Sequence, residues 1–109
     1  MNNRIKHKFE AGQVWISSCA LHGGSTVQFL VFKREELAND IVLHIAILDG
    51  DGPHHMPFKE NVLFSCALRM VGNIGDFKKF EEGYNYWKKY YEMGEAGVYA
   101  IKLCDALGM

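Results

Sequence analysis

The sequence predicts a single α+β domain in which two helices pack against a strongly bent antiparallel sheet. Apolar residues make up 49% and charged residues 23% of the 109 residues, which suits one compact globular domain. Segments 26–32 and 41–48 are apolar at consecutive positions, as in strands that are covered on both faces. Segments 58–71 and 76–93 repeat their apolar residues at helical spacing. The predicted order of elements is β-β-β-α-α-β.

Three strands are predicted in the first half of the chain, at residues 14–21, 26–32 and 41–48. Between the first two, residues 22–25 (His-Gly-Gly-Ser) predict a turn, because two glycines supply the positive φ angles that a tight hairpin needs. The polar stretch 33–40 is expected to connect the second strand to the third. Because the central strands are apolar on both sides, something must pack on each face or the sheet must curl on itself.

Two helices and a last strand are predicted in the second half. Residues 58–71 place apolar side chains in rows at i and i+4, and the Gly-Asn pair at 72–73 ends this helix. Asp76 is expected to cap a second helix that runs to about residue 93 and is closed by Gly94. Residues 98–103 predict a strand that returns to the sheet.

Charge and cysteine usage limit the class of protein. Twelve basic and thirteen acidic residues give a net charge of -1. A chain with this little net charge and this many apolar residues can bury enough surface to fold, so disorder is excluded. The near-neutral charge also disfavours a strongly electrostatic nucleic-acid or membrane binder. The three cysteines (Cys19, Cys66, Cys104) have no short spacing and are each expected to be a small buried hydrophobe. The longest apolar run, 41–48, is too short to span a bilayer. We expect a reduced, cytoplasmic protein in which residues 1–8 form a basic arm before the domain at 9–109.

One loop concentrates possible metal ligands: Asp49, Asp51, His54 and His55. Two carboxylates and two imidazoles could hold a divalent metal. However, Pro53 occupies a position where a calcium loop needs a ligand, and consecutive side chains such as the two histidines diverge. We therefore expect a polar turn and no cofactor, and a metal-dependent enzyme is the second alternative function.

Nothing else in the chain predicts catalysis. Cys19 and His22 could form a thiolate and its base, but no orienting carboxylate or glycine-rich oxyanion site lies near them in sequence. Phosphate-loop, dinucleotide-binding and HExxH motifs are absent from the sequence. His44, inside an apolar strand, is expected to be a core histidine with one hydrogen-bond partner. The prediction is a protein that is not an enzyme.

The second predicted helix is rich in aromatic residues. At helical spacing Tyr84, Trp87 and Tyr91 fall within the buried arc, whereas Tyr86 lies outside it. Exposed aromatic side chains beside basic ones are typical of protein interfaces. The residues predicted to bind a partner protein are Tyr86, Lys89, Tyr90 and Lys79.

An alternative from a different class is a nucleic-acid-binding barrel. Its contacts would be made by five basic residues: Arg4, Lys6, Lys8, Lys33 and Arg34. These residues would gather at one end of the sheet if the arm at 1–8 folds back. Such a protein would bind with an affinity that falls steeply with salt.

Two resemblances bear on fold and function. The opening at 9–15 (FEAGQVW), followed by a Gly-Gly hairpin and two apolar strands, resembles the entry of SH3-like barrels, and this match covers 9–48. Segments 54–58, 82–87 and 94–99 are similar to a group of small uncharacterised bacterial proteins. Some proteins of comparable size and architecture are immunity proteins for secreted toxins. The resemblance implies a bacterial origin and this fold, and no catalytic residue is carried over from it. The missing catalytic motifs and the exposed aromatic side chains around Tyr86 predict a non-enzymatic module that binds another protein, with a toxin as one candidate partner. Exposed sheet edges together with the aromatic arc favour a homodimer.

Overall fold

The computed structural model describes residues 8–20, 26–50 and 52–108. Its strands are β1 (Gln13–Ala20), β2 (Thr26–Leu37), β3 (Asp40–Ile47), β4 (Met56–Lys59) and β5 (Ala67–Asn73). Its helices are α1 (Glu60–Phe64), α2 (Lys78–Glu92) and α3 (Leu103–Ala106). The strands form one antiparallel sheet in the order β4-β3-β2-β1-β5. The predicted α+β class is therefore confirmed.

Apolar side chains cover both faces of the sheet, as the composition of the central strands predicts. Phe29 and Val31 point into the larger cluster, whereas Leu30 and Phe32 point into a second cluster on the opposite face. Helix α2 covers this second face, where the ring of Phe80 stacks on Phe32 with 5.7 Å between the centroids. A sheet that is buried on both sides leaves its central strands almost without polar side chains.

The predicted connection at 33–40 is wrong, because β2 and β3 continue through it. Leu37 pairs with Asp40 across a two-residue turn. Ala38 and Asn39 have φ angles of 49° and 70°, which is the left-handed conformation of a tight hairpin turn. The other predicted turn, at 22–25, lies outside the described residues.

The predicted helix at 58–71 is also wrong. Its residues are divided among the end of β4, helix α1 and strand β5. Most of β5 is exposed, including Leu68, Met70 and Val71. The strand forms because it pairs with β1, and a short apolar run cannot be assigned to helix or strand by periodicity alone.

The last predicted strand, at 98–103, is reduced to a single bridge. Tyr99 forms an isolated parallel bridge with Phe58 of β4, through hydrogen bonds from Tyr99 N to Pro57 O (2.8 Å) and from Lys59 N to Tyr99 O (3.0 Å). The chain then turns into α3, whose Leu103 is fully buried. The segment around Tyr99 therefore covers the outer edge of β4 and closes one side of the site described below.

The predicted second helix is confirmed as α2. The N-cap residue is Phe77 and not Asp76 as predicted, but Oδ1 of Asp76 accepts a hydrogen bond from Lys78 N (3.0 Å) at the start of the helix. Gly94 follows its end with a φ angle of 76°, where an αL residue commonly terminates a helix. Among the described residues, no helix is both long and apolar enough to cross a membrane.

Two of the three cysteines are paired. Cys19 of β1 and Cys104 of α3 form a disulfide across 85 residues of sequence. The prediction of three separate, reduced cysteines is therefore wrong for this pair, whereas Cys66 is a buried free cysteine as predicted. The spacing alone did not suggest the pair, because α3 brings Cys104 to β1 only through the tertiary fold.

Candidate functional site

A β-bulge in β2 decides which side chains meet beneath α2. Between Val31 and Lys33 the register with β3 slips by one residue, so that Lys33 lies opposite His44. In a regular strand Glu35 would share the face of Val31, because side chains alternate. The extra residue reverses this alternation. Glu35 therefore lies on the α2 side of the sheet together with His44.

Three side chains form a continuous hydrogen-bonded row, which we call the histidine chain: Glu35, His44 and His55. The Oε1 atom of Glu35 lies 2.9 Å from Nε2 of His44, and Nδ1 of His44 lies 2.8 Å from Nε2 of His55. The two imidazole rings are stacked with 5.1 Å between their centroids. His44 is completely buried and has two hydrogen-bond partners, where the sequence predicted one.

Helix α2 supplies further contacts to the histidine chain. The hydroxyl of Tyr84 donates to both carboxylate oxygens of Glu35 (3.0 and 2.9 Å), and Nζ of Lys88 donates to Oε2 at 2.8 Å. These residues are four apart and therefore lie on one face of the helix. Trp87 packs against both imidazoles, with centroid distances of 5.1 and 5.5 Å.

A glycine lets the helix approach the second imidazole. A Cβ atom added to Gly83 would lie 3.0 Å from Cβ of His55, closer than nearly all real contacts between such atoms. A side chain at position 83 would therefore require His55 to move by a few tenths of an ångström, so glycine favours the close packing of α2 on the loop before β4. This is the close approach that its position in the apolar arc of the helix predicts.

Burial sets the protonation of the histidine chain. Burial lowers the pKa of His44 to about 4, against the opposing effect of Glu35. Burial and the neighbouring His44 lower the pKa of His55 to about 4. Burial acts to raise the pKa of Glu35, but hydrogen bonds from Lys88, Tyr84 and His44 outweigh it, so the pKa is lowered overall. At neutral pH the chain holds one carboxylate and two uncharged imidazoles.

This charge state determines the direction of every hydrogen bond in the chain. An ionised carboxylate only accepts, so Nε2 of His44 carries the proton. Its Nδ1 is then a lone pair, and Nε2 of His55 must donate to it. The remaining nitrogen of His55, Nδ1, is an acceptor. It has no partner among the described residues, and no buried side-chain nitrogen or oxygen there is left unpaired. Nδ1 of His55 therefore has an accessible side.

Two adjoining clefts border His55 and Trp87. One, of about 490 Å³, lies between β4, α2 and the segment at 97–99. The other, of about 550 Å³, lies between α2, the loop before β4 and residues 95–96. The indole N–H of Trp87 donates to the carbonyl of Gly97 (2.9 Å), which ties the segment to the helix between the clefts.

The second cleft is lined by two of the four residues predicted to bind a partner. Tyr86 and Tyr90 line it together with His54 and His55. The two tyrosine rings lie 5.0 Å apart, and Nζ of Lys89 lies 5.9 Å from the centroid of the Tyr90 ring. Three of the four predicted residues are thus neighbours on the protein surface.

The fourth predicted residue, Lys79, lies on α2 seven residues before Tyr86. That spacing keeps it near the helix face of Tyr86 but about 10 Å away along the axis. Its Nζ atom lies over the ring of Phe80, 5.2 Å from the centroid. Lys79 belongs to the start of α2 and not to the cleft.

The candidate metal ligands point to different places. Oδ2 of Asp49 accepts a hydrogen bond from Gln28 N (2.6 Å), and His55 is committed to the histidine chain. His54 lies on the cleft side of the loop, and Asp51 is outside the described residues. Within 8–20, 26–50 and 52–108, no three potential ligands are grouped to hold a metal ion. The two histidines diverge because consecutive side chains point in different directions.

The basic residues of the nucleic-acid alternative are engaged separately. Nζ of Lys8 donates to the backbone carbonyls of Phe64, the last residue of α1, and of Ala67, the first residue of β5 (both 3.3 Å). Arg34 pairs with Glu60 at 3.3 Å, and Nζ of Lys33 lies 5.0 Å from the ring centroid of Tyr84. Lys8 contacts rings of the larger core cluster, whereas Lys33 lies on the α2 face. The other two residues, Arg4 and Lys6, lie outside the described part of the chain.

Sequence reasoning missed Glu35, Lys88 and the pairing of His44 with His55. The available signal was a histidine within an apolar strand, since a buried imidazole needs a partner for each nitrogen that it does not expose. The identity of that partner depends on the bulge, which the sequence does not mark.

Comparisons with protein-family models, with curated proteins and with solved structures find no match to this chain. The arguments on function therefore start from the geometry of the site.

Proposed function

We propose that this protein is a non-enzymatic binding module that recognises another protein through the outer face of α2. The contact residues are Tyr86, Lys89 and Tyr90, which we call the tyrosine face. The exposure of Tyr86 carries the proposal: 67% of its surface is exposed, whereas the other aromatic residues of α2 are at least partly buried. A large aromatic side chain left in water gains free energy when a partner covers it.

The tyrosine face has two further properties of a contact site. The ring of Tyr86 rests on that of Tyr90, so little side-chain entropy is lost when a partner orders it. The adjoining cleft of about 550 Å³ offers a concave pocket for a partner's side chain. Tyrosine residues near the centre of such surfaces commonly dominate the binding energy.

The protonation of His55 supports the non-enzymatic part of this proposal. A general base works best when its pKa is near the working pH, whereas burial lowers the pKa of His55 to about 4. The imidazole that faces the clefts is thus a weak base at neutral pH. It serves better as a fixed hydrogen-bond acceptor.

The proposal is tested by photo-crosslinking from the tyrosine face. A photoreactive phenylalanine analogue replaces Tyr86, and the control carries it at Ile101, which is 48% exposed outside α2. In lysate of the source organism we expect one crosslinked protein from position 86 only, unaffected by nuclease and displaced by excess unlabelled wild type. The variant Y86A/K89A should fail to displace it while keeping the wild-type melting temperature.

Three results would contradict the protein-binding function. Equal crosslinking from positions 86 and 101 would mean that the contact is nonspecific. Full displacement by the Y86A/K89A variant would mean that the tyrosine face is not the contact. Loss of the product after nuclease treatment would favour the nucleic-acid alternative.

The resemblances noted in the sequence supply the finer parts of the proposal. An SH3-like sheet is supported by register slips in three of the four strand pairs, because bulges bend and twist strands. The resemblance to small bacterial proteins makes a secreted toxin the first partner to test. Purified toxin candidates replace lysate in the crosslinking experiment.

A homodimer through the outer edge of β5 is a second candidate interaction. Leu68, Met70 and Val71 are 63%, 45% and 42% exposed on this strand, and the sheet ends there. The opposite edge is covered by the segment around Tyr99. An uncovered apolar edge strand favours pairing with another strand. Light scattering should give a dimer for the wild type and a monomer for L68K/M70K, and a monomeric wild type would contradict it.

A further inference from the structure

The cleft between β4, α2 and the segment at 97–99 has an uncharged lining; we call it the His55 cleft. It is lined by His55, Pro57, Trp87, Gly97, Val98 and Tyr99. Pro57, Trp87, Val98 and Tyr99 contribute aromatic and apolar side chains to its walls. The indole N–H is already used by the carbonyl of Gly97. Pockets with such walls and one or two fixed polar groups are typical of sites for small ligands.

We propose that the His55 cleft binds an uncharged aromatic group that carries one N–H or O–H donor, which hydrogen-bonds to Nδ1 of His55. This proposal goes beyond the partner contact at the tyrosine face. It concerns the other of the two clefts that Trp87 lines. It also uses a different chemical feature, the direction of the hydrogen bonds in the histidine chain.

The preference for a donor follows from the order of atoms in the chain. Were Nδ1 of His55 protonated and Nε2 bare, the lone pair of Nε2 would face the lone pair of Nδ1 of His44 across 2.8 Å. If His44 then carried its proton on Nδ1, the lone pair of its Nε2 would face the Glu35 carboxylate across 2.9 Å. Both arrangements replace an attractive contact by a repulsive one. The accessible nitrogen of His55 is thus held as an acceptor.

The preference for an uncharged aromatic group follows from the walls. A carboxylate or phosphate would meet the Nδ1 lone pair, and no cationic side chain is among the described residues that line the cleft to compensate. A cation would find no carboxylate in the lining. Flat ligands can pack against the rings of Trp87 and Tyr99, where ring contacts add to the apolar area buried.

A phenol and an indole are the simplest groups of this class. Either could be a free small molecule or the side chain of a partner's tyrosine or tryptophan. The experiment therefore uses free indole and phenol, each beside its methylated counterpart that lacks the donor (1-methylindole and anisole), and N-acetyl-tryptophanamide as the peptide-borne form.

The probe is wild-type protein labelled with ¹⁵N, observed through the ring nitrogens of its histidines. Before ligand is added, His55 should show a protonated Nε2 and a bare Nδ1. Indole and phenol should then shift the Nδ1 signal of His55, and each methylated counterpart should bind about fivefold to tenfold more weakly, as expected for one lost hydrogen bond. His54→Gln, which alters the neighbouring histidine, should leave these affinities unchanged.

Each outcome bears on the proposal. Tighter binding of N-acetyl-tryptophanamide than of indole would support it with a partner side chain as the source, and the reverse order would support it with a free small molecule. A protonated Nδ1, equal affinity for the methylated compounds, or no shift at millimolar indole and phenol would overturn it. None of these results alters the crosslinking test, so the two proposals fail separately.

Discussion

Acidification from pH 7 to pH 5 should destabilise this protein through His44. The side chain is completely buried, and burial lowers its pKa to about 4. Glu35 on β2 favours the protonated imidazole, whereas Lys33 on β2 and Lys88 on α2 oppose it, and burial decides the sign. His55, on the loop before β4, completes its surroundings together with Tyr84 of α2.

The magnitude follows from proton linkage. A histidine in the unfolded chain has a pKa of about 6.5, so between this value and about 4 the unfolded state binds more protons than the folded state. The free energy of unfolding therefore falls as the pH is lowered through this window. At pH 5, about 1.5 units below the unfolded pKa, His44 alone should remove about 2 kcal/mol. The pKa of Glu35 is lowered from 4.5, so the stability that this carboxylate contributes is lost mainly below about pH 4.5, outside the interval from pH 7 to pH 5.

The assay is urea unfolding at pH 7 and pH 5 under non-reducing conditions. The wild type should lose about 2 kcal/mol more than the variant His44→Gln over this interval. The matched control is His54→Gln, which removes an exposed histidine from the loop and should keep the wild-type dependence. The substitution His44→Gln also removes hydrogen-bond partners from Glu35 and His55, which lowers the free energy of unfolding at both pH values. The pKa of His44 is therefore also measured directly by NMR in the wild type. Equal pH dependence in wild type and His44→Gln, or a measured pKa near 6.5, would refute the reasoning.

Three further predictions concern the supports of the site. Tyr84→Phe removes a donor to the carboxylate of the histidine chain and should cost about 1–2 kcal/mol in the free energy of unfolding, whereas Tyr91→Phe should cost much less. Alanine normally stabilises a helix interior by about 1 kcal/mol relative to glycine. Gly83→Ala should not give this gain, because its methyl group meets His55, and calorimetry measures the difference in stability from the wild type. Reduction of the Cys19–Cys104 disulfide, which spans 85 residues, should lower stability by up to about 4–5 kcal/mol from loop-closure entropy.

Controls separate these effects from general damage. Asn85→Ala, at an exposed site of α2, should give the ordinary small gain in helix propensity, so a similar gain in Gly83→Ala would contradict the close packing on His55. A C19S/C104S variant should be insensitive to reductant. Equal losses in Tyr84→Phe and Tyr91→Phe would mean that the tyrosine bonds to the carboxylate contribute nothing.

The accuracy of the sequence predictions differs sharply between parts of the chain. Helix α2 was predictable because its apolar stripe and its terminal residues, Asp76 and Gly94, all act within a few positions of the chain. The segment at 58–71 was not, because its apolar rows suit a helix as well as a strand. Pairing of β5 with β1 decided between them.

The candidate site shows the same division. The sequence indicated an aromatic face on the second helix and a histidine within a buried strand, and the structure places Tyr86 and Tyr90 in a cleft beside His55. Glu35, the acidic member of the histidine chain, was missed because it lies in a stretch that was expected to connect two strands.

The sequence by itself determined the α+β class, the three central strands, the two-sided burial of the sheet and helix α2, since each depends on periodicity between near neighbours. Only the tertiary structure decided the strand β5, the disulfide and the histidine chain. One extra residue at the bulge in β2 moves Glu35 to the face of His44, and the contact of α2 with the loop before β4 brings His55 to the same place. These are contacts between segments far apart in the chain, whose register and distance no local pattern of residues records.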